Sequence, residues 1–215
     1  MTTTSHPALV AIDGAFLTSV ARQFGLPHIS PATVCGFLEK NGYDVLETFT
    51  TLIQEVPDTN DDRLVGEKQN SFEKRRRALE AAGVTVVPCP SRRMESGFKQ
   101  SDDQRLIVKA LSFCLRVRPR FFCLAAGDRD YIPLVEELRS QGIRTILLTY
   151  RDFCSYDLER ICWKTRQIED MLDLDAARAE LRNEFRTDPR DDFRDEPSGA
   201  DADTLTDALF RGRDD

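Results

Sequence analysis

Asp128 and Asp130 stand one residue apart, just after the apolar run RFFCLAAG (120–127) and at the head of the helix-like stretch DYIPLVEELRSQG (130–142). A carboxylate placed one glycine beyond a buried strand does little for packing. Asp13 ends a second aliphatic run, ALVAID (8–13). Asp102 and Asp103 open SDDQRLIVKALSFCLRV (101–117), where Leu106, Ile107, Ala110, Leu111, Cys114 and Leu115 fall on one helical face. Asp103 precedes Leu106 and Ile107 by three and four residues, so it continues their stripe toward the amino end of the helix. Carboxylates held together repel, and they need either a cation between them or bound protons. Oxygen donors without histidine or cysteine select a hard ion, Mg²⁺ or Mn²⁺. The chemistry such a site offers is attack on a phosphoester.

The elements that must position these acids alternate. ALVAID (8–13), LETFTTLIQEV (46–56), VTVVPCP (84–90), RFFCLAAG (120–127) and IRTILLTY (143–150) read as strands, and DLERICWKTRQ offers a last short one. Helices are expected over 30–42, entered by Ser30-Pro31 and closed by a glycine, and over 69–83, 101–117 and 130–142, with a further one at 168–185. Residues 57–67 read as a polar loop, and Pro88 and Pro90 as the end of the third strand. Such alternation predicts an α/β fold, a three-layer parallel sheet flanked by helices. In these sheets ligands sit beyond the strand carboxyl ends, where the following helices also begin, so Asp13, Asp103 and Asp128 are expected on one rim. Purely structural duties compete with this. Asp102 and Asp103 suit the positive end of a helix dipole, and Asp130 suits an N-cap.

Composition narrows the class. The chain has 215 residues, is 40% hydrophobic, and contains no apolar run near the ~20 residues of a membrane span. MTTTSHPALVAID lacks the basic and long apolar regions of a signal peptide, which predicts a soluble protein. Six scattered cysteines without a Cys-x-x-Cys pair read as buried free thiols in a reducing cytoplasm. From Thr187 onward ten acids meet four arginines, accounting for −6 of the net −7 and leaving −1 on residues 1–186. This polar acidic tail is expected to be disordered. An acidic total therefore does not exclude a nucleic-acid partner.

VAIDGAFL, followed downstream by GDRDYIPLVEELRSQGIRTILL, resembles the NYN domains of the PIN-like nucleases. In that family the first strand typically ends Ile-Asp-Gly-x-Asn-Leu, and the later signature is Ser-Gly-Asp-x-Asp-Phe-x-Pro-Leu. Here Tyr131 takes the aromatic place, and Ser101–Lys109 is similar to the Asp-Asp-Arg-x-Ile-Val-Lys stretch of Regnase-type members. The resemblance covers roughly residues 8–165. It implies a PIN-like, Rossmann-like nuclease domain over 1–167, followed by a C-terminal helix at 168–186 and the acidic tail at 187–215. It further implies a Mg²⁺- or Mn²⁺-dependent endoribonuclease, with Asp13, Asp103 and Asp128 as metal ligands and Asp102 and Asp130 as supporting acids. Two residues depart from the pattern: Phe16 replaces the asparagine, and Lys109 replaces a further acid of LabA-like members, as it does in Regnase-type ones.

The expected substrate is RNA, single-stranded, and PIN-like domains often pair, so a homodimer stays open. Arg92, Arg93 and Lys99 lead into the Asp102-Asp103 helix and are candidates for phosphate contact, as is Arg129 between the motif acids. Lys74–Arg77 reads better as a solvated helix face, and Arg116, Arg118 and Arg120 form a third basic run. The aromatic residues read as core, with no stacking platform evident. Dehalogenase-type phosphatases require Asp-x-Asp, where this chain has Asp13-Gly14-Ala15, and His6 and His28 provide no catalytic pair. The alternative from another class is a catalytically weak or inactive domain that binds RNA or protein, favoured by Phe16.

Overall fold

A computed structural model of the chain describes residues 6–56, 61–94, 97–99 and 102–172. Seven strands are present among the described residues: β1 His6–Ile12, β2 Tyr43–Val56, β3 Val84–Met94, β4 Gly97–Lys99, β5 Phe121–Ala125, β6 Arg144–Thr149 and β7 Lys164–Gln167. They form one sheet in the order β4-β3-β2-β1-β5-β6-β7. Neighbours run parallel throughout except β3 and β4, which pair antiparallel. The chain therefore steps outward from β1 to β3, returns, and steps outward again from β5 to β7. That reversal between β1 and β5 is the switch point of a Rossmann-like sheet, where the connections diverge and leave a crevice beyond the strand ends.

The helices are α1 Gly14–Gln23, α2 Pro31–Lys40, α3 Asp62–Ala81, α4 Asp102–Val117, α5 Ile132–Ser140 and α6 Tyr156–Ile161. Side-chain alternation along β1 decides the layers. Leu9 and Ala11 join Phe49, Phe122, Leu124 and Leu147 in the larger core, closed by α4, α5 and α6 through residues such as Leu106, Leu138 and Leu158. Ala8 faces the other way with Phe121, Ile146 and Tyr43. On that side α2 presents Cys35 to Thr48 at 3.2 Å. β5 reads FFCLA and is buried at every position, as a central parallel strand covered on both faces must be. Each such buried large side chain stabilises the fold by about 1.5–3 kcal/mol.

Three expectations need correction. Residues 62–67 belong to α3, which Asp61 caps by accepting from Arg63 N at 3.0 Å; the polar composition of 57–67 hid a helix with a single buried apolar side chain, Phe72. β3 continues through Pro88 and Pro90 to Met94. Its register with β2 runs unbroken from Val84 to Arg92, so the two prolines, which share one parity, turn their donor-less nitrogens away from β2. α1, absent from the expected helices, directly follows Asp13, which caps it. The helix expected at 168–186 begins as a 3-10 turn, Ile168–Asp170, and then passes, with the 187–215 tail, outside the described residues.

Candidate active site

β1 and β5 are adjacent, with Ile12 opposite Ala125, and Asp13 N donates to Ala125 O at 3.0 Å. Asp13 and the Gly127-Asp128 step therefore leave the sheet side by side at the switch point. Gly127 has no substitute there. A Cβ on it would lie 1.9 Å from the Phe153 carbonyl oxygen and 3.2 Å from the Phe16 ring, and its own carbonyl accepts from Ser155 N at 2.8 Å. The loop after β6 thus presses on the motif's backbone and fixes the direction in which Asp128 departs. Gly14 is confined likewise by the Thr51 carbonyl, 2.3 Å from its ideal Cβ position.

After Gly127 a 3-10 turn, Arg129–Tyr131, leads into α5. Asp128, not Asp130, caps this turn: its Oδ1 accepts from Asp130 N at 3.1 Å. The tight turn brings both carboxylates to the same side, where Asp103 reaches them from the first turn of α4. Asp103, Asp128 and Asp130 each offer a carboxylate oxygen, and these lie within 4.8 Å of one another. Tyr131 is fully buried and donates its hydroxyl to Asp103 Oδ1 at 2.7 Å, tying the motif to α4. The sequence reading placed Tyr131 only as the motif's aromatic. The available signal was its hydroxyl, which the family's phenylalanine lacks.

The group differs in membership from the expected ligand set. Asp130, expected to support, stands within it. Asp13 lies at the end of β1, 7% exposed, with Oδ1 accepting from Ala15 N at 2.9 Å and Phe16 N at 3.0 Å as the cap of α1, and it is not one of the three. Arg129 is exposed and lines a pocket of about 530 Å³ together with Asp103, Gln104, Ile107, Asp130 and Pro133. The side chains of Arg92, Arg93, Lys99 and Asp102 lie outside the described ones. Phe16 is 8% exposed and packs beneath Gly127, so an apolar ring floors the motif where the family pattern has an amide.

The donor chemistry fits a hard divalent ion. All three donors are oxygens, and oxygens bound to one Mg²⁺ at about 2.1 Å lie within about 4.2 Å of each other, a small side-chain adjustment from the spacing here. Sulfur is out of contention. All six cysteines are free; burial pushes Cys114 and Cys162 up to about 12 and raises Cys123 as well. Neutral thiols are poor nucleophiles and poor ligands.

The NYN domain model matches residues 7–169, which take in the sheet, the Gly-Asp-x-Asp turn and α4. The chain belongs to the NYN domain family. Membership gives this domain a PIN-like nuclease fold. Among solved structures, VPA0982 of Vibrio parahaemolyticus, a protein of unknown function, is 16% identical with a TM-score of 0.57, over 78% of this chain and 95% of its own. That likeness supports the fold alone. MurG of Acinetobacter baumannii is 12% identical with a TM-score of 0.40; 75% of this chain aligns with 41% of it, too loosely to bear on function. No curated protein is significantly similar in sequence. No helix among the described residues is long and apolar enough to cross a membrane.

Proposed function

We propose that this NYN domain is a divalent-metal-dependent endoribonuclease that hydrolyses phosphodiester bonds of single-stranded RNA. The observation that carries the reading is the meeting of Asp103, Asp128 and Asp130 within 4.8 Å in a member of this family. These three would hold Mg²⁺ or Mn²⁺, with Asp13 joining from the end of β1 and Asp102 supporting from the start of α4. When bound, the ion supplies Lewis acidity toward the phosphoryl group and lowers the pKa of water.

The chain's own residues do the rest. Tyr131 fixes one oxygen of Asp103, and the Asp128 cap fixes the turn that aims Asp130, so the carboxylates need little reorganisation. Arg129 would pair with a phosphate entering the pocket that it lines with Asp103 and Asp130. Arg92, Arg93 and Lys99, on the β3–β4 hairpin, would extend that contact along the strand.

Incubating a labelled single-stranded RNA with the protein in Mg²⁺ or Mn²⁺, with and without chelator, tests the reading. Chelator-sensitive internal cleavage that Asp128→Asn abolishes is the expected result. Intact RNA under both ions, or undiminished cleavage by Asp128→Asn, would overturn it. The second reading, a binding module without turnover, draws on Phe16 beneath the motif. It predicts RNA retention without cleavage in the same assay.

A further inference from the structure

The opposite end of the sheet carries a second constellation that the acidic site does not use. The first residues of β1, β2, β5, β6 and β7 are His6, Tyr43, Phe121, Arg144 and Lys164. Register brings them to one edge: His6 lies opposite Tyr43, Phe121 opposite Arg144, and Trp163 N donates to Thr145 O at 2.9 Å. The rings interlock. Phe121 meets His6 at 5.5 Å, Tyr43 at 5.3 Å and Trp163 at 5.3 Å between centroids.

This group is not simply a plug for the core. Trp163 remains 50% exposed. Arg144 stands 5.4 Å and Lys164 5.9 Å from its ring, and Arg120 stands 5.6 Å from Phe121. Arg166 follows on the same face of β7 as Lys164 and shares a small pocket with it and Tyr43. The ion pairs among the described residues join Arg63, Lys68 and Arg76 to glutamates and involve none of these four cations. Asp44, the nearest acid in sequence to Tyr43, falls on the other face of β2 by strand alternation. Covering Phe121 accounts for the buried half of the indole. It does not account for Arg144 and Lys164 beside the exposed half, with Arg120 over Phe121 and Arg166 near Tyr43, four cations that have no ion pair among the described residues.

We propose that this amino-terminal edge binds single-stranded nucleic acid, with Trp163 stacking a base and Arg120, Arg144, Lys164 and Arg166 meeting the phosphates. Each nucleotide presents a negative charge and a π-face together, the two features this edge complements. An acidic peptide would satisfy the cations and leave the indole uncovered. The surface needs no metal and is independent of cleavage, so its success or failure is separable from that of the proposed nuclease.

Trp163 is the sole tryptophan of the chain, so its emission reports the site directly. In chelator, twelve-residue oligouridylate and oligothymidylate are expected to quench that emission saturably. With three or four phosphates engaged, affinity should fall roughly 20- to 50-fold for a fourfold rise in salt. Arg144→Glu with Lys164→Glu should weaken binding at least tenfold at an unchanged melting temperature. Arg144→Gln with Lys164→Gln replaces that pair if the reversals unfold the chain. Absence of quenching by either oligonucleotide, equal quenching by polyglutamate, or undiminished affinity of the folded double variant would overturn the proposal.

Discussion

The two ends of the sheet carry opposite chemistry. At the carboxyl edge Asp103, Asp128 and Asp130 gather where strands end and helices begin, with Asp13 at the end of β1; at the amino edge Arg144 and Lys164 lie beside a half-exposed indole and Arg120 over the neighbouring Phe121. Part of this sorting comes free with the fold. Every crossover helix points its positive end to the carboxyl edge and its negative end to the amino edge, favouring acids at one and bases at the other by about 0.3–1 kcal/mol each. Charge of the expected sign at either end is thus weak grounds for function. What exceeds the fold's demand is geometry. Three carboxylates from two separate segments offer oxygens within 4.8 Å of each other, and Arg144 and Lys164 lie beside a half-exposed tryptophan with no ion pair among the described residues.

The sharpest way to separate the two ends is Asp128→Asn. It should lower kcat/KM for RNA about 100-fold or more, roughly 2.7 kcal/mol of transition-state stabilisation, while oligonucleotide quenching of Trp163 stays as it was. Loss of both together would mean one continuous site. Gly127→Ala should cost about 2–3 kcal/mol in urea unfolding, because its Cβ would overlap the Phe153 carbonyl. A cost under about 0.5 kcal/mol would show that the loop after β6 yields easily. Tyr131→Phe removes the hydroxyl that orients Asp103. Mn²⁺ affinity, followed by calorimetry, should weaken about tenfold with cleavage declining in parallel, and unchanged affinity would place Asp103 outside the ion's grip.

The smallest effect concerns the neutral layer between the ends, where Cys123 sits in β5. Burial raises its thiol together with those of Cys114 and Cys162 above the ordinary value of 9.0. Above that value the unfolded chain loses protons that the native chain keeps. Stability is therefore undiminished below pH 9 and declines as pH rises toward about 12, the native value for Cys114 and Cys162. Urea midpoints that stay level from pH 8 to pH 10.5 would argue that these thiols are accessible.

The sheet was legible because buried parallel strands announce themselves as aliphatic runs, and the rim followed from the rule that such folds place ligands beyond strand ends. Asp103 could be assigned to that rim from helical spacing alone. The details that eluded sequence reading share a cause: one residue type serving two duties. Asp13, expected as a ligand, also caps a helix that the sequence pattern does not announce. Asp130, expected as a supporting acid with capping as the competing duty, stands with the other acids, and the cap is Asp128. Trp163, Phe121 and Tyr43 looked like core, and only the register of five strands reveals that they meet at one edge.

Pro88 and Pro90 have a consequence beyond the length of β3. On the flank turned from β2, Pro88 offers a carbonyl already taken by Arg105 Nη1 at 2.9 Å, and neither proline has an amide hydrogen to give. That border is a poor template for a stray strand. While chains are crowded and newly made, the sheet resists growing sideways into a neighbour's, so protection against aggregation is written into the same segment that leads toward the acidic rim.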